Sequence, residues 1–304
     1  MTKQEIIEAI HKNAFSHTDL SEHAKLYQYT DNEGFRGILQ SRTLWATEYQ
    51  HLNDRNEFRL IEQLIPEALC SFDLNRDFAL IAAGALVQEI QHQNISRRLN
   101  ESYYITSFSV SDDNLLLWSE FSAAAGCAIC FNRADICCTS DDTVDVMPGR
   151  VVYDPEEQLQ ILRNCFRIVM DDPAFDSADT YLQHFQKGTD WGEFRQYLEK
   201  IALVMRYYAM FMKESIYSGE QEFRIAFAIA DKEAVEIRYR NKEGFHKEIP
   251  YIAVHVGGSN RFLPQSIRIN PWLHGDASRM RFQKTLEDFN YEIPIYESIA
   301  SLRY

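Results

Sequence analysis

Changes in the period of apolar and polar positions mark the expected elements of this chain. Leu26–Tyr29 (LYQY) alternates as a strand does, and residues 33–40 then place Phe35, Ile38 and Leu39 on one side of a short helix. Thr43–Thr47 (TLWAT) is strand-like in its β-branched and aromatic content. HLNDRNEF opens a helix running to about Leu69, and Asp77–Ile95 reads as another. Tyr103–Val110 (YYITSFSV) reads as a strand, and Asn114–Ala125 as a helix that Gly126 would stop. CAICF and Arg150–Tyr153 read as further strands.

Helical spacing then takes over in Pro155–Met170, Ser177–Gln186 and Asp190–Tyr217. Strand patterning returns in Glu222–Ala230, Ala234–Arg240 and Tyr251–Val256, followed by a helix near Ala277–Asn290 and a strand over Tyr291–Tyr296. The order lacks the regular strand–helix alternation of a doubly wound sheet. The expected architecture is α+β: a mixed, mainly antiparallel sheet carrying a helical insertion at about 155–217, within one domain over 26–304. Residues 1–25 contribute an N-terminal helix, because Ile6, Ile7 and Ile10 are interspersed with charges in an amphipathic pattern that a signal peptide does not have.

The 304 residues include 31 Lys+Arg against 45 Asp+Glu, a formal charge of −14, which excludes sequence-independent wrapping of nucleic acid. The longest apolar stretch, Phe78–Val87, falls well short of the about 20 residues of a membrane span. Six cysteines in a chain of this length form no secreted disulfide framework, so a cytoplasmic protein is expected. Cys127 and Cys130 have zinc-ligand spacing, but on a strand they point to opposite faces and read as small buried residues. No metal site is expected.

Candidate chemistry gathers where helix gives way to strand at Glu220-Gln221-Glu222-Phe223-Arg224. On an extended segment Glu220, Glu222 and Arg224 share a face, and adjacent carboxylates at the mouth of a buried strand are enriched in active sites. A charge ladder on an edge strand is the plainer reading. Ser107 and Ser109 share one face of ITSFS, with Thr106 and Phe108 on the other. Tyr27 and Tyr29 share a face of the first strand, as core or as a stacking surface for a base or nicotinamide. Trp118 reads as core, whereas Glu120 stands out in an otherwise apolar helix. Asn53–Glu57 fits a capping box. Arg261, Arg268, Arg279, Arg281 and Lys284 make the C-terminal region locally basic, as solvated surface or a phosphate-docking patch. The chain has no GxGxxG, Walker-type loop, HExxH or GxSxG.

The segments LYQYTDNEGFRGILQSRTLWAT, HLNDRNEF, ITSFS with LLLWSEFSAAAGCAICF, EQEFRIAF and PQSIRINPWLHGD to YESIASLRY together resemble a bacterial family known as domain of unknown function 2971, from about Leu26 onward. Gln28 departs from that pattern, where such proteins more often carry Lys or Arg. The strand–helix–strand opening, the Ser-bearing strand and the E-x-E strand also resemble the three-part signature of ADP-ribosyltransferases. That resemblance implies an ADP-ribosyltransferase-like fold and NAD as substrate. It places Tyr27, Tyr29, Thr30, Ser107, Ser109, Trp118 and Arg224 around NAD, Glu222 as the catalytic glutamate and Glu220 as the residue steering the acceptor. The Arg or His usual on the first strand is replaced by Gln28 and Tyr29.

The functional expectation is transfer of ADP-ribose from NAD to a nucleic acid or protein acceptor, in a toxin or phage-defence setting with an antitoxin or defence partner. Two other classes stand beside it. One is a non-catalytic module sensing a nucleotide or phage component, and the other a metal-dependent nuclease built on Asp54, Glu57, Glu120 and Glu222.

Overall fold

The computed structural model describes residues 20–52, 57–96, 102–122, 125–137, 144–171, 180, 193–229, 235–241, 248–255, 263–273 and 275–300. Of the helices expected within 1–25 and 177–186, only 20–25 and Thr180 fall among these residues, and 20–25 form a turn leading into the first strand rather than a helix. The chain divides into two compact units: a β unit from Leu20–Leu52, Glu101–Arg150 and Ser218–Tyr304, and a helical unit that takes in Asn53–Asn100 and Val151–Tyr217. The β framework is therefore interrupted twice rather than once, because helices from 57–96 join those expected over 155–217.

The sheet comprises, among the described residues, β1 (Lys25–Thr30), β2 (Leu44–Glu48), β3 (Ser102–Ser109), β4 (Cys127–Asn132), β5 (Val144–Arg150), β6 (Glu222–Ile229), β7 (Arg238–Arg240), β8 (Ile249–Val254), β9 (Ser266–Ile269) and β10 (Ile295–Glu297). Its order is β10-β9-β4-β1-β3-β2-β8-β7, with β6 also pairing β3 and β5 lying beyond β6. The strand pairs are antiparallel apart from β10–β9, giving a mixed α/β unit on a mostly antiparallel open sheet.

Alternation sorts the side chains onto two faces. Leu26, Phe108, Ile129, Phe223, Ile225 and Ile252 belong to one apolar core. It is covered by α1 (Asn32–Ser41) through Phe35 and Leu39 and by α8 (Asp276–Asp288) through Phe282 and Leu286. The Asp31 carboxylate accepts the Gly34 amide at 2.7 Å to start α1, and Arg42, in left-handed backbone, ends it. The opposite face bears a smaller cluster of Tyr29, Trp118, Leu117 and Ala128, with α4 (Leu115–Phe121) on it.

The helical unit contains α2 (Glu57–Cys70), α3 (Arg76–Ser96), α6 (Pro155–Met170) and α7 (Glu193–Ala209). Asp154 caps α6 by accepting the Glu157 amide, and Pro155 occupies the first turn, where its missing N–H costs nothing. Buried Gln158 donates to the carbonyls of Val152 and Lys213, both at 2.7 Å, and so ties the start of α6 to the chain after α7.

Several expected boundaries move. The helix after Asn114 ends at Phe121, not Ala125. The strand expected over Arg150–Tyr153 is β5, Val144–Arg150, with Val152 forming an isolated bridge to Met212. The long helix expected to Tyr217 stops at Ala209 and is followed by a 3-10 turn, Ser215–Glu220. The strand expected over Tyr291–Tyr296 shrinks to Ile295–Glu297, and β9 has no counterpart among the expected strands. Short α5 (Arg133–Ile136) follows β4. Among the described residues, no helix is long and apolar enough to cross a membrane.

Candidate functional site

On β3, Ser109 pairs with Glu222 of β6 across one edge and with Tyr27 of β1 across the other. Directly opposed residues share a face, so Tyr27, Ser109 and Glu222 form one row over three strands. The next row on that face pairs Ser107 with Arg224. Further along β3, Ile105 pairs with Ala226 on one side and Thr47 of β2 on the other. Because β6 occupies one whole edge of β3, β1 and β2 must share the other, β1 at Ser109 and β2 at Tyr104 and Ile105. The sheet therefore splits beside Thr106–Phe108, and the row of Tyr27, Ser109 and Glu222 sits at the mouth of that split.

Glu222 and Arg224 are the dominant charges here, with 7 % and 1 % of their surfaces exposed. The guanidinium holds both carboxylate oxygens, Nε to Oε1 at 2.8 Å and Nη2 to Oε2 at 2.9 Å. Such a two-pronged, charge-assisted pair fixes the orientation of both groups. Glu220 does not join them on the strand. It ends the 3-10 turn, and Gln221 at φ +48° breaks the extended run before β6 begins. A shared face for Glu220 and Glu222 requires extended backbone between them, which the left-handed Gln221 does not provide.

The Glu220 carbonyl reaches the row by accepting the Ser109 hydroxyl at 2.8 Å. Ser109 in turn accepts the Ser111 amide at 3.1 Å, so it is a buried joint between the end of β3 and the approach to β6. Ser107 is half-buried on the same face.

Tyr27 and Tyr29 lie on this face, as the alternation required, whereas Thr30 pairs with Cys127 and belongs to the core face. Thr30 is thus separated from the two tyrosines by the thickness of the sheet. Tyr29 accepts the Asn114 amide and donates to the Ser111 carbonyl, each at 3.0 Å, pinning the loop before α4. Trp118, wholly buried, meets the Tyr29 ring edge-on at 4.6 Å, and its indole N–H donates to Asp113 at 2.7 Å. It acts as a wall behind Tyr29. Burial pushes both tyrosine hydroxyls above their ordinary range; at Tyr27 Cys130 and Asp112 add to the effect and Arg268 opposes it.

Asp112, Asp113 and Arg268 complete the surroundings and were not singled out as a cluster by the sequence. Arg268 stands opposite Ala128 on β4 and donates to Asp112 at 2.6 Å and to the Glu297 carbonyl. Asp113 also accepts the Ser298 hydroxyl and the Ile299 amide, both at 2.7 Å, fastening the segment after β10 to the loop that Tyr29 holds. The adjacent acids between a strand and a helix were the available sequence signal. Arg268 therefore belongs to the sheet's internal framework, while Arg279, Arg281 and Lys284 lie on α8, away from that framework. Arg261 lies outside the described residues.

Cys127 faces the large core and Cys130 faces Tyr27, to which it is hydrogen-bonded. Among the described residues no group of three His, Cys, Asp or Glu side chains could hold a metal ion. Glu120 is exposed on α4. Asp54 and the side chain of Glu57 lie outside the described residues, as does most of the expected capping box.

No family model matches the chain, and no curated protein or solved structure does either.

Proposed function

We propose that the β unit is an ADP-ribosyltransferase-like module that takes NAD at the split of its sheet and transfers ADP-ribose to a nucleic acid or protein acceptor. The observation that carries this reading is the single row of Tyr27, Ser109 and Glu222 where β1 and β2 part from β3. Breaking the nicotinamide–ribose bond develops positive charge on the sugar, as glycoside hydrolysis does. A carboxylate already oriented beside that carbon stabilises the charge without reorganising. In this reading Glu222 supplies the carboxylate, Arg224 holds it in place and Tyr27 lines the approach. Glu220 precedes β6 rather than lying on it, so in this reading the acceptor's proton passes to another base or to water.

Release of nicotinamide from NAD, with and without nucleic acid and cell lysate as acceptor, tests the proposal. The expected outcome is turnover by the wild-type chain and a loss of at least about 100-fold in Glu222→Gln, the scale on which removing an electrostatic stabiliser acts. No consumption of NAD, or equal consumption by the variant, rejects it.

A second reading, a nucleotide-sensing module without catalysis, is favoured by one observation: both Glu222 oxygens are already taken by Arg224 in a site only 7 % exposed. It expects saturable binding of NAD by calorimetry, with the ligand recovered intact.

A further inference from the structure

On the same face of the sheet, beyond β2, lies an arginine that no carboxylate among the described residues neutralises. Arg240 on β7 donates from Nη2 to the Thr47 hydroxyl at 2.9 Å, and its Nε is buried without a hydrogen-bond acceptor. Its guanidinium carbon stands 5.7 Å from the Trp45 ring centre and 5.9 Å from that of Tyr251. Among the described residues no Asp or Glu pairs with it. Neighbouring Arg238, two residues away on the same strand face, is by contrast neutralised by Glu236 at 2.7 Å. Burial lowers the pKa of Arg240, the response of a cation taken from water without a counter-charge.

Two aromatic rings attract a cation but do not replace its hydration, so a half-buried guanidinium with no carboxylate among the described residues needs an explanation. The rings supply a second clue. Trp45 and Tyr251 are packed 4.5 Å apart, yet Trp45 remains 47 % exposed. An exposed indole beside an uncompensated guanidinium offers a flat stacking surface and one anion site within reach of each other.

We propose that Trp45, Tyr251 and Arg240 form a nucleotide subsite in which a base stacks on Trp45 and a phosphate pairs with Arg240. Base stacking on aromatic side chains, assisted by Arg, is the usual chemistry of such surfaces. A single uncompensated cation fits one phosphate, and the chain's charge of −14 gives no continuous track for a polynucleotide backbone. The ligand class is therefore a nucleoside monophosphate unit, free or as part of a dinucleotide. The subsite does not depend on catalysis by Glu222.

Calorimetric titration of the full chain with AMP, adenosine, inorganic phosphate and a single-stranded octadeoxyadenylate tests this assignment. AMP is expected to saturate, with adenosine and phosphate each at least tenfold weaker. Trp45→Ala and Arg240→Gln, checked for folding by circular dichroism, should each weaken AMP at least tenfold. Failure of AMP to saturate, or unchanged affinity in either folded variant, overturns the proposal. An octamer more than a hundredfold tighter than AMP also overturns the assignment to a single nucleotide.

Should Trp45→Ala not fold, Trp45→Phe carries the test, because AMP should quench tryptophan fluorescence in the wild type and lose that quench in the variant. A quench of equal size in both rejects the stacking. AMP has no nicotinamide bond to break, so its binding reports on this subsite whether or not the chain consumes NAD.

Discussion

Arg224 grips both carboxylate oxygens of Glu222 from two positions along the same strand, at 2.8 and 2.9 Å, with both side chains shut away from water. Alternation in β6 puts them on one face, opposite Phe223 and Ile225, whose side chains fill the core behind. Removing the arginine leaves a buried carboxylate without that partner, so Arg224→Met should destabilise the chain by about 3–5 kcal/mol. Glu222→Gln keeps the shape but leaves the buried Arg224 cation without its carboxylate, and should cost a comparable amount, about 3–5 kcal/mol. The double variant should recover part of the loss, since neither charge then remains. Urea denaturation of the four proteins gives the cycle; strictly additive losses would mean that the pair does not act as a unit.

A second expectation separates two glycines. Gly126 reads in sequence as a helix stop, but α4 has ended by then and Gly126 lies where backbone segments converge. A Cβ there would collide with the carbonyl oxygens of Thr30 and Ser122, and these are backbone atoms that cannot swing aside. Gly126→Ala should therefore cost about 3 kcal/mol or more, at the upper end of overpacking effects. Gly37 lies inside α1 with open space where a methyl group would stand, so Gly37→Ala should stabilise by about 0.5–1 kcal/mol through helix propensity. Thermal melts of the two variants should shift in opposite directions.

The elements that the sequence predicted well are those whose period survives from end to end. Leu26–Tyr29, Tyr103–Val110 and Glu222–Ala230 all become strands of the sheet, and their alternation correctly put Tyr27 with Tyr29 and Ser107 with Ser109. β5 begins before the strand expected at Arg150 and carries Pro148 and Gly149, residue types depleted in strands. Among the described residues β5 pairs with β6 alone, and a proline without an N–H is tolerated on an edge. β9 has four residues, two of them polar, which is too short a run for a period to emerge. Glu220 failed for a local reason, since a left-handed glutamine is rare and composition does not announce it. The Arg240 cluster joins β2 to β7 and β8, which are distant from it in sequence and meet it through strand pairing.

The helical unit supplies a test in alkaline solution. Tyr208 on α7 is hydrogen-bonded to Cys165 on α6, and both are buried. Burial pushes each pKa far above its ordinary value. In the unfolded chain a tyrosine loses its proton at about pH 10 and a cysteine at about pH 8.5. Over the range where the unfolded state has lost protons that the folded state keeps, stability falls as pH rises. The contribution is thus complete below about pH 8.5 and declines above it, more steeply once tyrosine also titrates. Each such group adds about 1.4 kcal/mol per pH unit to the slope above its unfolded pKa. Urea midpoints measured from about pH 7 to 11 should show the wild type weakening and Tyr208→Phe weakening less steeply above about pH 10. Tyrosinate absorbance from Tyr208 should appear together with the loss of helical circular dichroism, because the ring must leave its packing before it ionises. An identical slope in Tyr208→Phe, or ionisation of Tyr208 in the folded chain, would show that this hydroxyl is reached by solvent.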